Sequence, residues 1–196
     1  MFVLPEGLPL ELTPFAFLVG KWSGSGVISY QAKTQKVEHE FNQTVEFTYD
    51  DQPFLSYLAK TTLSDGTALP TEVGFWRLSK KPEAADNGPG LLPGTGEKTI
   101  LTREQLEELR NSDGGFDIEV SILHPSGISE LYLGQIKGAR VDLSTDGVMR
   151  SASAKEYVAA TRMFGQVDGA LLWAWDIAAL GNPLASHASA RLGRVE

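Results

Sequence analysis

Between Val37 and Tyr49 the chain alternates without a break. Odd positions read Val37, His39, Phe41, Gln43, Val45, Phe47 and Tyr49, and even positions Glu38, Glu40, Asn42, Thr44, Glu46 and Thr48. A period of two places each set on its own side of a strand, so one face is solvated and the other looks inward. Strand-like runs recur at Trp22–Tyr30, Phe54–Leu63, Val73–Ser79, Phe116–Leu123, Ile128–Ile136, Arg140–Ser144, Lys155–Phe164, Ala170–Ala178 and His187–Arg194. Ser64-Asp65-Gly66, His124-Pro125-Ser126-Gly127, Asp146-Gly147 and Val167-Asp168-Gly169 read as turns between them. About ten short strands joined mostly by hairpins predict an all-β, antiparallel up-and-down barrel.

Two segments depart from this rhythm. Thr13-Pro14 followed by Phe15, Leu18 and Val19 predicts a short N-terminal helix, with Thr13 as its cap, Pro14 at its first position and Gly20 at its end. Lys80–Lys98 is rich in Pro, Gly and Ala and reads as a mobile loop, from which residues 83–97 are expected to be removable. Thr102-Arg103-Glu104-Gln105 then resembles a capping box, with Leu106 and Leu109 on one face of a short helix. Residues 80–115 have too few apolar side chains for a core of their own, so the expectation is one domain over 1–196 carrying an insertion.

Charge and cysteine count narrow the function classes. With 25 acidic and 17 basic residues the net charge is −8, which repels nucleic acids and anionic membrane surfaces. The longest apolar stretches, such as Ala170–Trp175, fall far short of the roughly 20 residues of a membrane-spanning helix. The N-terminal stretch has no basic region and is broken by Pro5 and Pro9, so it does not read as a signal peptide, and a cytoplasmic protein is the plain expectation. The absence of cysteine removes disulfides, zinc–thiolate clusters, iron–sulfur ligation and covalent c-type haem attachment together.

The most specific local pattern is Gly20-Lys21-Trp22-Ser23-Gly24-Ser25-Gly26, a G-x-W-x-G-x-G at the start of the first strand. Its plain reading is mechanical: Trp22 plugs one end of the barrel, while Gly20, Gly24 and Gly26 let a bent strand turn without a clashing Cβ. Of three histidines, His39 lies on the apolar face of its strand, as a core or cavity-lining residue would. His124 heads a turn and reads as exposed and structural. His187 begins the last strand, where alternation groups it with Ser189 and Arg191, opposite Ala188, Ala190 and Leu192. There it could reach a site at the barrel mouth, and neutral imidazole is a common metal ligand. HExxH, G-x-S-x-G, P-loop and Cys/His nucleophile patterns are all missing, carboxylates mostly mark solvent faces, and Trp173 and Trp175 read as core or end packing.

Several short matches in order give a resemblance to the nitrobindins, haem-binding barrels similar in shape to lipocalins and fatty-acid-binding proteins and described as peroxynitrite isomerases. They are the G-x-W-x-G-x-G motif, Pro53–Tyr57, Glu72–Arg77, His124–Glu130, Ala154-Lys155-Glu156, and the ending from Gly181-Asn182-Pro183-Leu184 to His187–Leu192. The resemblance implies one non-covalent haem b with His187 as proximal iron ligand and Lys155 as a pocket residue near the haem. Peroxynitrite would be isomerised to nitrate on the ferric form, and nitric oxide bound by the reduced form. The oligomeric state stays open, a homodimer among the options. Ile28-Ser29-Tyr30-Gln31-Ala32 stands where the family has a Tyr-Pro-Thr-Ile segment, and Ala68-Leu69-Pro70 replaces its Pro-Leu-His, so the wall opposite the iron ligand differs. Two other readings remain beside the enzyme: a haem-free carrier of an apolar ligand such as a fatty acid, with an inward Arg191 meeting its carboxylate, and a scaffold barrel without ligand.

Overall fold

The computed structural model describes residues 5–32, 35–80, 89–90, 92, 100 and 102–195. Ten strands run β1 (Gly20–Ala32), β2 (Gln35–Thr48), β3 (Phe54–Leu63), β4 (Glu72–Leu78), β5 (Phe116–His124), β6 (Ile128–Lys137), β7 (Arg140–Arg150), β8 (Tyr157–Val167), β9 (Ala170–Ala179) and β10 (Ala185–Val195). Each pairs antiparallel with the next, and β1 returns to β10, so the sheet closes into an up-and-down barrel without a free edge. Among the described residues no helix is long and apolar enough to cross a membrane.

The closing seam shows why β1 carries glycines. A Cβ on Gly24 would lie 2.2 Å from the Arg191 carbonyl, and one on Gly26 would meet the Ser189 carbonyl at 2.3 Å and the Phe41 ring at 2.4 Å. Only a bare backbone lets β10 come this close. Trp22 fills that end of the barrel: it is fully buried and its indole N–H donates to the Leu18 carbonyl at 2.7 Å. Phe41, Phe47, Trp76 and Phe164 continue the plug, with Trp76 meeting Phe47 and Phe164 edge-on. Each such ring removed from water contributes about 1.5–3 kcal/mol.

A 3₁₀ helix at Leu10–Phe15 covers the Trp22 end. It starts earlier than the sequence suggested. Thr13 and Pro14 lie inside it, and among the described residues no side chain caps it. Three residues per turn put Leu12 and Phe15 on one face, and both are fully buried. Buried Glu11 in this helix pairs with Lys80 at 3.0 Å and accepts the Ile100 N–H at 3.0 Å. The expected capping box forms at Thr102 and Gln105 and opens helix α1 (Arg103–Glu107). Most of the segment read as a loop, residues 81–88, 91 and 93–98, lies outside the described residues.

One expected turn is absent. β7 runs straight through Asp146-Gly147, because β6 pairs Leu131 with Gly147 and then Tyr132 with Thr145. Asp146 is the extra residue of a bulge, so turn-forming chemistry was used to bend a strand. At the far rim β1 pairs with β10 only as far as Ile28, and β2 meets β3 from Phe41 onward. The strands beyond form a two-stranded ribbon past the rim. His39 sits on it, exposed and stacked on Tyr30 at 6.0 Å, so it is not a core residue.

Candidate functional site

Two bulges flank β9 at the rim opposite the Trp22 plug. On one side β10 pairs Ser186 with Asp176 and then Ala188 with Trp175, which leaves His187 as the extra residue. On the other side β8 pairs Tyr157 with Ala179 and then Ala159 with Ala178, leaving Val158 extra and 61% exposed while Tyr157 is buried. Bulges re-aim side chains. Here they bring His187 and Tyr157 against the same residue, Trp175, whose ring centre lies 5.3 Å from His187 and 6.3 Å from Tyr157.

The bulge also corrects the expected grouping of the last strand. Past it, Ala188, Ala190 and Leu192 face inward, while Ser189 and Arg191 are exposed. His187 therefore parts from Arg191, and an inward Arg191 for a fatty-acid carboxylate does not exist. Lys155 lies two residues before β8, its side chain exposed and its carbonyl accepting from Arg150 at 3.1 Å.

His187 is half-buried, and its Nδ1 lies 3.2 Å from the Ser29 carbonyl. A carbonyl only accepts, so Nδ1 carries the proton and Nε2 keeps its lone pair in the neutral ring. Burial pushes the imidazole below its ordinary pKa. The Ser29 hydrogen bond opposes this, and the Arg162 guanidinium adds to the lowering. The result is a neutral imidazole with one nitrogen tied to the backbone and the other free to bind, the arrangement that orients metal-bound histidines.

Beneath the rim lies a layer the sequence did not reveal. Arg162 on β8 makes a two-pronged pair with Glu72 on β4, both contacts 2.8 Å, and reaches Glu130 on β6 at 3.5 Å and the Tyr132 hydroxyl at 3.0 Å. Tyr57 donates to Glu72 at 2.8 Å, Tyr132 to Glu130 at 2.6 Å, and Tyr157 also to Glu130. His124 belongs here too. Its Nε2 lies 2.8 Å from Glu130 and its ring stacks on Trp175, so with a side chain only 9% exposed it belongs to the network and is not an exposed turn residue. Burial alone would raise the Glu72 carboxyl, but Arg162 outweighs it and brings the pKa to about 2. Glu130 is likewise lowered, burial being overcome by His124, Arg162 and the two phenols.

The signal for this layer was phase. Glu72 sits four residues from Trp76, Glu130 two from Tyr132, and Arg162 two from Phe164, each on the same face as its buried aromatic partner. Leu131 and Leu133, which look like core residues, are 40% and 45% exposed.

The site can be tested for a haem on its own chemistry. Among the described residues no group of three or more His, Asp or Glu could hold a metal ion. A single histidine holds iron only when the other ligands arrive with the metal, as they do in a porphyrin. Half-buried Ile28, Leu63, Ile128, Val148, Trp175 and Ile177, near the strand ends on this side of the barrel, pack against the core and give the surroundings an apolar character suited to a porphyrin. The Trp175 Nε1 is buried there with no partner among the described residues. The donor and its surroundings fit.

Comparison with known proteins agrees with this reading. Residues 11–194 match the family described as "THAP4-like, heme-binding beta-barrel domain". Curated relatives named peroxynitrite isomerase include that of Leifsonia xyli subsp. xyli, 51% identical with both chains fully covered. That of Clavibacter michiganensis subsp. michiganensis is 48% identical, again over all of both chains. That of Kocuria rhizophila is 50% identical over 98% of this chain and 95% of its own. The crystal structure of Rv2717c from M. tuberculosis shares the fold, with a TM-score of 0.70, 24% identity, and 96% of this chain and 99% of that one covered. With a matched profile over nearly its whole length and relatives near half-identity, the chain belongs to the THAP4-like haem-binding β-barrel family.

Proposed function

We propose that the chain is a single-domain peroxynitrite isomerase that holds one haem b without covalent attachment through His187 Nε2. The observation that carries this is the His187–Ser29 hydrogen bond, which fixes a neutral imidazole with a free ligating nitrogen at the rim. Curated relatives near 50% identity and named for that reaction support it. When bound, ferric haem supplies a Lewis acid to the peroxynitrite oxygens, and the reduced form takes up nitric oxide.

The protein's own contributions are placement and exclusion. His187 would hold the iron, and the bulge and Ser29 set its ring. The apolar side chains of Ile28, Ile128, Val148 and Ile177 limit water around the bound group. Lys155, exposed two residues before β8, is the nearby pocket residue that the family resemblance implies, and its role toward the haem is part of this proposal. Isomerisation to nitrate conserves atoms and charge, so no side chain has to deliver a proton. The aromatic plug and the charged layer fill the barrel axis, which favours a flat ligand at the rim over an acyl chain inserted down the barrel.

The test is a hemin titration followed at the Soret band, with nitrate yield from added peroxynitrite measured on the loaded protein. Stoichiometric uptake and raised nitrate yield are expected for the wild type and lost in His187→Ala. Equal uptake by both proteins would remove His187 from the site.

A further inference from the structure

Trp175 has more neighbours of unusual chemistry than its place in a strand requires. The Arg162 guanidinium lies 4.2 Å from its ring centre. His124 stacks nearly parallel to it, 12° between planes at 6.1 Å. His187 meets it edge-on at 76°. Arg162 on β8 and His124 on β5 are themselves held by Glu72 on β4 and Glu130 on β6. Through the indole, His187 touches a frame braced across the barrel.

The indole nitrogen supports a role beyond filling space. Trp173, two residues earlier on β9, donates its N–H to Gln43 at 2.8 Å. The Trp76 N–H has no hydrogen-bond partner among the described residues either, but that ring sits between two edge-on aromatic rings in the closed plug. Trp175 Nε1 is buried at the ligand rim without an acceptor among the described residues, a desolvation cost that leucine or phenylalanine would avoid.

We propose that Trp175 is a positioning residue for the iron ligand: clamped by Arg162 and His124, it fixes the ring plane of His187 and keeps its Nδ1–H on the Ser29 carbonyl. This rests on the haem reading for its purpose but not for its geometry, which the protein holds without cofactor. Second-sphere partners of this kind typically change metal affinity about 10–100-fold when removed.

The experiment compares wild type, Trp175→Leu, Trp175→Phe and His124→Gln, with thermal unfolding of each measured alongside. In the cofactor-free proteins, ¹⁵N-edited spectra report exchange of the His187 Nδ1 proton. In hemin-loaded, reduced proteins, resonance Raman reports the iron–histidine stretch. Trp175→Leu is expected to lose the exchange protection, to shift the stretch and to weaken hemin binding about tenfold. Trp175→Phe, which keeps a flat ring, is expected to restore the protection. His124→Gln leaves the indole in place but removes the ring stacked on it, and is expected to fall between. Wild-type protection and an unshifted stretch in folded Trp175→Leu would overturn the proposal. If Trp175→Leu does not fold, unchanged protection in His124→Gln overturns it instead. If wild type takes up no hemin, the haem reading fails, and the exchange measurement alone decides the role of Trp175.

Discussion

His187 on β10 is bonded to the carbonyl of Ser29 on β1 just where those two strands stop pairing, one residue beyond the last register pair of Ala188 with Ile28. The proposed iron ligand is therefore fixed by the strand end of its neighbour. A second consequence concerns acid. Burial lowers the His187 pKa, so the ring stays neutral below the pH at which an exposed imidazole charges. Hemin affinity is expected to hold through about pH 6.5, the ordinary histidine value, and to fall only at lower pH. A Soret titration at stepped pH checks this. A midpoint at or above the ordinary value would contradict it.

Gly26→Ala is expected to destabilise the fold by about 2–4 kcal/mol, since overpacking against backbone leaves nothing flexible to yield. The new methyl would meet the Ser189 carbonyl at 2.3 Å and the Phe41 ring at 2.4 Å. Denaturant unfolding measures the loss. Gly147→Ala, whose Cβ would meet nothing within 4 Å, serves as the control.

Arg162→Met leaves Glu72 and Glu130 buried without their shared cation. Breaking one side of a buried ion pair costs about 3–5 kcal/mol. The pH dependence has a definite sign. Glu72 is ordinarily near 4.5 and falls to about 2 in the fold, so its contribution is complete above the ordinary value and is lost as pH drops toward 2. Wild type should lose stability across that window, and Arg162→Met should show a much flatter acid limb. Equal slopes in denaturant melts at stepped pH would contradict this assignment.

His124→Ala is expected to cost about 1–3 kcal/mol of stability by leaving a buried Glu130 oxygen with only the long 3.5 Å contact from Arg162. His187→Ala should cost less stability and abolish hemin uptake. Thermal melts and Soret titrations on both variants separate the two roles.

The barrel was legible because alternation in strands such as Val37–Tyr49 survives any detail of closure. Nine of the strands follow the pattern to within three residues at their ends, and β7 runs six residues past its expected end at Ser144. What the pattern could not show were the places where it is broken. Asp146-Gly147 has the chemistry of a turn and becomes a bulge, since the partner strand continues past it. The extra residue at His187 reversed the expected company of Arg191. His124 was read from its Pro-Ser-Gly turn, but its burial depends on Glu130 and Trp175, which meet it only when β6 and β9 are in place. Charged residues facing inward are indistinguishable from solvated ones until the phase of each strand is known.

Because His187 pairs with neither neighbour in the ladder, the residue at that position is supernumerary to the scaffold. Substituting it disturbs no backbone hydrogen bond between strands and no inward alanine or leucine of β10. Deleting it would let Ser186 and Ala188 fall into step and erase the bulge. Chemistry and architecture are thus separately mutable along one strand: a lineage could lose, regain or exchange the ligating side chain while inheriting the barrel intact.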